Sequence, residues 1–157
     1  MADAGAGHGR RVLLDSSAWI SFFRGESESL RSEIDGLLSE KRAVAAWPIL
    51  VELLNGARSR PEFEAINRRL QALENLSVRE EDWAGSAELG FRLNLRGETV
   101  PAMDLLIATL ALANDCELLH MDADFERVRR VAPLRTRFRR HRSWSRRPGR
   151  QGRWSFL

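Results

Sequence analysis

Five acidic residues occupy positions in this chain where chemistry is plausible. Asp15 directly follows the apolar run "VLL", and Asp122 follows "LLHM", with Asp124 two positions on. A carboxylate at the mouth of a core must be hydrated, paired or bound to a cation, because its uncompensated burial is costly. In an open parallel sheet, ligands bind outside the carboxyl ends of the strands. Asp15 and Asp122 therefore belong to one edge if both runs are strands. Asp104 lies in the first turns of an apolar segment opened by Pro101, where exposed N–H groups and the helix dipole favour negative charge. Glu52 sits in "WPILVELLNGA", a predicted helix beginning near Pro48, and points away from the stripe of Leu50, Val51 and Leu54.

Each acid alone has a simpler explanation. Asp15 could cap a helix beginning around Ser17, Glu52 could be a solvated helix charge, and Asp104 could only complement a helix dipole. Together they are harder to dismiss. Several carboxylates in one cleft repel one another and raise their own pKa values unless a cation neutralises them. An oxygen-only ligand set without His or Cys suits a hard ion such as Mg²⁺ or Mn²⁺, and such sites perform phosphoryl chemistry.

The elements that must position these acids alternate short apolar runs with helical periodicity. "RVLL", "AVAA" and "ELLHM" read as strands, and "LSV" as a weak one. "SLRSEIDGLLSE" places Leu30, Ile34, Leu37 and Leu38 on one helical face. "PEFEAINRRLQAL" does the same with Phe63, Ile66, Leu70 and Leu73. "DWAGSAELGFRL" supports a helix through Trp83, Ala87 and Phe91, and "PAMDLLIATLALAN" is apolar nearly all round, the mark of a buried helix. Strands alternating with helices predict an α/β fold with a parallel sheet. "VAPLRTRF" admits one more short strand.

At 157 residues the chain fits one domain with tails. Its single cysteine, Cys116, excludes an intramolecular disulfide and reads as a small buried residue; no Cys/His spacing suits structural zinc. The longest apolar run, Leu105 to Ala113, is about half of what a membrane span needs. A soluble cytoplasmic protein is expected. Residues 1–126 hold 13 Lys+Arg against all 22 Asp+Glu, a net of −9, whereas residues 127–157 hold 12 Arg and no acid. This asymmetry suggests contact with a polyanion or with the chain's own acidic surface. The expected organisation is a flexible leader at 1–10, a folded domain at 11–134 and an Arg-rich, disordered tail at 135–157.

The series "VLLDSSAWISFFRG", "WPILVELLNGA", "MDLLIATLALA" and "LLHMDADF" resembles the PIN-domain family, specifically the VapC-type toxin ribonucleases, in order and spacing over roughly residues 11 to 134. The resemblance implies an α/β/α sandwich with a short central parallel sheet and a Mg²⁺- or Mn²⁺-dependent endoribonuclease acting on cellular RNA. It also implies a cognate VapB-type antitoxin and a homodimer. Carried over, Asp15, Glu52, Asp104 and Asp122 match the catalytic acids, with Asp15, Asp104 and Asp122 as metal ligands. Asp124 matches a less regular fifth acid, behind those ligands or at a second metal. Ser17 matches a small hydroxyl residue that positions water or phosphate. His120 departs from the pattern, where Thr or Ser is commoner, and reads as a strand-end residue rather than a general base.

Other functions fit less well. A phosphoacceptor receiver domain needs a lysine near its last strand, and the only lysine is Lys41; a haloacid-dehalogenase-type phosphatase needs an Asp where Ser17 stands. A non-catalytic RNA-binding module would use the basic tail with Trp144 and Trp154, but leaves the acids without a role. Trp19, Phe22 and Phe23 are expected in the core or a dimer surface, Trp47 and Trp83 between helices, and Arg24 and Gly25 at the end of the first helix.

Overall fold

The computed structural model describes residues 9–139; the leader through residue 8 and the stretch from residue 140 onward lie outside the described residues. Strands β1 (Val12–Leu14), β2 (Ala43–Ala46), β3 (Glu74–Leu76), β4 (Glu117–His120) and β5 (Thr136–Phe138) form one parallel sheet in the order β3-β2-β1-β4-β5. It is flanked by helices α1 (Ser16–Arg24), α2 (Glu28–Ser39), α3 (Trp47–Asn55), α4 (Arg60–Gln71), α5 (Glu80–Asn94), α6 (Ala102–Ala113) and α7 (Ala123–Val128). This is the expected α/β/α architecture. β1 and β2 are buried along their whole length, which is why they read as unbroken apolar runs rather than alternating ones.

Local signals set the helix ends. The Ser27 and Ser59 hydroxyls accept from Leu30 N and Glu62 N, each at 3.3 Å, and cap α2 and α4. Gly25, at φ 64°, closes α1 in the left-handed conformation that glycine adopts without steric cost. α6 buries Asp104 through Ala111 without a break. Trp19, Phe22 and Phe23 pack ring against ring with centroids 5.7–5.8 Å apart, and Trp19 is buried. Cys116 is buried, and that burial pushes its thiol pKa up, so it packs as an inert residue. No described helix is long and apolar enough to cross a membrane.

The structure departs from the sequence pattern at four places. β3 begins at Glu74, two residues before "LSV". α3 buries Ile49, Leu50 and Leu53, leaving Val51 exposed. α5 turns Trp83 and Phe91 outward and buries Asp82, Ser86, Leu89 and Leu93, so Trp83 does not pack between helices, and neither does Trp47. The reason is close approach to α6: a Cβ on Gly90 would sit 2.9 Å from Leu105 Cδ1, and one on Gly85 3.0 Å from Thr109 Cγ2. Small residues face α6, and the aromatic rings have no room there. Finally, β5 carries the sheet to Phe138, past residue 134 where composition places the end of the domain.

β5 arrives with a run of ion pairs. Arg127 meets Asp124 at 2.7 Å, Arg129 meets Glu126 at 2.8 Å and Arg130 meets Glu98 at 2.9 Å. Arg135 pairs with Asp115, Arg137 with Glu117 and Glu33, and Arg139 with Glu33. Thus each of the six arginines between Arg127 and Arg139 has an acidic partner on the folded body.

Candidate active site

The chain order reverses direction across the sheet between β1 and β4: β2 and β3 lie to one side of β1, β4 and β5 to the other. Such a switch point opens a crevice at the carboxyl ends of the strands. Leu14 is in register with Leu119, and Asp15 N donates to Leu119 O at 3.0 Å, so the residues after both strands share that edge.

Asp15 is fully buried and caps α1, as the simpler reading of this acid expects. Its Oδ2 accepts from Ser17 N at 3.1 Å and Ser17 Oγ at 2.6 Å. Ser17 Oγ in turn accepts from Met121 N at 3.1 Å, bracketing the ends of β1 and β4 together. The other oxygen, Asp15 Oδ1, is buried with no hydrogen-bond partner among the described residues. Capping therefore accounts for only half of this carboxylate.

Asp104, near the start of α6, and Asp122 and Asp124, after β4, each bring a carboxylate oxygen to within 4.8 Å of the others. Asp104 and Asp122 are buried. Asp122 caps α7, its Oδ1 accepting from Asp124 N at 3.0 Å, while Asp124 Oδ1 accepts from Arg127 Nη1 at 2.7 Å. Glu52 stands outside this group of three. It is half-buried on α3, and its Oε2 accepts from Ser16 Oγ at 2.6 Å, so it is tied to the residue next to Asp15. Three of the five sequence-identified acids thus form one group, and Asp15 and Glu52 adjoin it through the β1 end. The oxygen-only donors and the unpartnered Asp15 Oδ1 suit a hard divalent cation.

His120 is wholly enclosed. Its ring lies 5.0 Å from that of Phe125 and stacks at 5.1 Å on Phe138, with Nε2 3.2 Å from Glu126 Oε1. Burial depresses its pKa against the opposing charges of Asp15 and Glu126, so the neutral imidazole is favoured. Burial alone would raise the Glu126 carboxyl, but hydrogen bonds from Thr136 and Arg129 outweigh it and hold that carboxyl low. The arrangement fastens β4, α7 and β5 together, which agrees with a strand-end role for His120.

Two partners of the acids escaped the sequence reading. Ser16, which holds Glu52, leaves no signal beyond adjacency to Asp15. Arg127, three residues after Asp124 on a helix, follows the i,i+3 spacing of ion pairs and was detectable.

Comparison with known proteins places this geometry. The PIN domain family model matches residues 12–131, leaving β5 and the arginine-rich end outside the match. The chain is 34% identical over 127 residues to VapC ribonuclease Mb1587 of Mycobacterium bovis, covering 78% of this chain and 95% of that protein. The same figures hold for ribonuclease VapC11 of Mycobacterium tuberculosis. Among solved structures, a chain of VapBC2 from Rickettsia felis, bound to a promoter DNA fragment, superposes with a TM-score of 0.68 at 18% identity, covering 81% of this chain and 97% of that one. VapBC-1 from nontypeable Haemophilus influenzae gives 0.67 at 19% identity, covering 81% and 96%. With acids gathered at the switch point of a parallel sheet, a family match along most of its length and relatives a third identical, this chain belongs to the PIN-domain family, among its VapC-type members.

Proposed function

We propose that the chain is a metal-dependent endoribonuclease, the toxin of a toxin–antitoxin pair, which cleaves cellular RNA in the cytoplasm and arrests translation and growth. The observation that carries this reading is the approach of the Asp104, Asp122 and Asp124 oxygens to within 4.8 Å at the switch point. Relatives named as VapC ribonucleases support the RNA substrate. These three residues and Asp15 would hold Mg²⁺ or Mn²⁺. When bound, that ion supplies charge neutralisation and water activation for hydrolysis of a phosphodiester.

The chain's own residues do the positioning. Ser17 fixes Asp15 Oδ2 and the Met121 amide, holding the first and last acids in register. Asp104 and Asp122 are sheltered from bulk water, which strengthens their attraction for a cation. Glu52, fixed at Oε2 by Ser16, accepts a proton at the margin of the site. A water oxygen attacks phosphorus, a phosphorus–oxygen ester bond breaks, and the leaving oxygen takes up a proton.

A VapB-type antitoxin is the expected partner, since the superposed structures are VapBC complexes. An acidic cleft favours a basic side chain from that partner, which would bind the carboxylates through charge-assisted hydrogen bonds and compete with the metal. The homodimer reading is supported by the outward-facing Trp83 and Phe91 on α5 and Leu95 just after its end, each more than half exposed. Large apolar surface of this kind marks an association face.

Incubating the purified chain with generic RNA and Mg²⁺ or Mn²⁺ tests the proposal. Cleavage is expected, with loss in excess EDTA and in Asp104→Asn. Binding without cleavage would leave a non-catalytic RNA-binding module, and full activity in EDTA would sink the metal mechanism.

A further inference from the structure

The twelve arginines of residues 127–157 read in sequence as one basic block, but the structure divides the six that it describes by what they hold. Arg129, Arg130, Arg135, Arg137 and Arg139 pair with Glu126, Glu98, Asp115, Glu117 and Glu33, none of which belongs to the candidate site. Arg127 is the exception. Its Nη1 donates to Asp124 Oδ1 at 2.7 Å, and an Asp124 oxygen lies within 4.8 Å of oxygens of Asp104 and Asp122. A full positive charge of the chain's own is thus in contact with a member of the acid group.

Helical spacing alone would make this an ordinary i,i+3 ion pair. Two observations set it apart. The same Nη1 also donates to Thr99 O at 3.4 Å, in the loop that leads into α6 and Asp104. One guanidinium therefore spans the helix that carries Asp124 and the approach to the helix that carries Asp104. Arg130, three residues on, holds Glu98 of the same loop at 2.9 Å, so that loop is gripped twice. The second observation is exposure: the Arg127 side chain is 44% exposed against 20% for Asp124. The guanidinium lies further toward solvent than the acid it holds, and side-chain rotation alone releases it to water.

Carboxylates gathered this closely repel one another. A divalent cation is one remedy, and an arginine already in place is another. We propose that Arg127 is a positioning residue that acts as the resident counter-cation of the acid group. It neutralises Asp124, keeps the acids together when no ion is bound, and opposes an incoming divalent cation, so that the site takes up metal less tightly than its carboxylates alone would. The proposal rests on the metal-dependent reading above.

The test measures Mn²⁺ binding by calorimetry, and melting temperature in EDTA, for the full chain and its Arg127→Gln, Arg127→Lys and Asp104→Asn variants. Arg127→Gln is expected to bind Mn²⁺ on the order of fivefold more tightly at low salt, the scale of a partly exposed charge interaction. In EDTA the same variant should melt lower, by up to about 4 °C, because the acids lose their counter-charge. Tighter binding together with lower stability is a combination that loss of a merely structural contact does not produce. Arg127→Lys should return both quantities toward those of the unmutated chain, and high salt should shrink the difference in affinity. Arg127→Met, which keeps the aliphatic stem without the charge, takes the place of Arg127→Gln if that chain does not fold. Equal or weaker Mn²⁺ binding on loss of the charge would overturn the proposal, and so would tighter binding that Arg127→Lys fails to reverse. An unmutated chain that takes up no more Mn²⁺ than Asp104→Asn removes the metal reading, and this proposal with it. Uptake by the unmutated chain that Arg127→Gln leaves unaltered removes this proposal alone.

Discussion

Asp15 divides its work between two oxygens. Oδ2 caps α1 and holds Ser17, while Oδ1 is buried with no hydrogen-bond partner among the described residues, so capping accounts for only one of its two oxygens. Asp122 also caps a helix, its Oδ1 accepting from Asp124 N at the start of α7. Asn caps a helix about as well as Asp. Asp122→Asn should therefore fold normally and, without metal, be as stable as the unmutated chain or slightly more so, since one member of a repelling group loses its charge. Added Mn²⁺ should raise the melting temperature of the unmutated chain, by the equivalent of about 2.7 kcal/mol at a hundred times its dissociation constant. The Asn variant should show much less. Equal stabilisation of both chains would place the cation elsewhere. At this scale Asp15 and Asp122 were legible because a carboxylate directly after an apolar run is anomalous. Ser16 was not, because a serine's partner across 36 residues leaves no local trace.

Among the elements, α5 shows where periodicity misleads. Trp83, Ala87 and Phe91 recur at helical spacing, but the face that packs is the one with Gly85, Ser86 and Gly90, where α6 comes close. Bulk points to burial only when the neighbouring backbone leaves room. The exposed stripe has acids Glu80 and Glu81 at its start and Arg92 and Arg96 at its end. Two copies of α5 packed antiparallel would set aromatic against aliphatic surface and acid against base. Phe91→Glu should therefore shift sedimentation from dimer to monomer while the far-ultraviolet spectrum stays unchanged; a dimer that persists would place the interface on another face. β5 is held differently, by charge. The hydrogen bond from Arg137 holds the Glu117 carboxyl below its ordinary 4.5, so its contribution is full above that value and disappears as pH falls through the folded value. As pH falls below 4.5 and through the lowered folded value, the unmutated chain should lose more stability to urea than Glu117→Gln does. Parallel losses would mean that this pair is screened by solvent.

For the whole molecule, the α/β alternation and the shared strand edge were readable from the sequence, because buried parallel strands are short, apolar and closed by polar residues. The division of the arginines was not, since composition counts charges without showing which are answered across space, as Arg139 is by Glu33. One consequence concerns the order in which a ribosome delivers the parts. β1 pairs with β2 about thirty residues on, yet its other neighbour, β4, lies more than a hundred residues later, with Val12 in register with Glu117. Contacts so distant along the chain form late and slowly. Asp15 emerges early, but Asp122 and Asp124 join it only when nearly the entire domain has been translated. A nascent chain therefore has no assembled group of acids until β4 and α7 have been made.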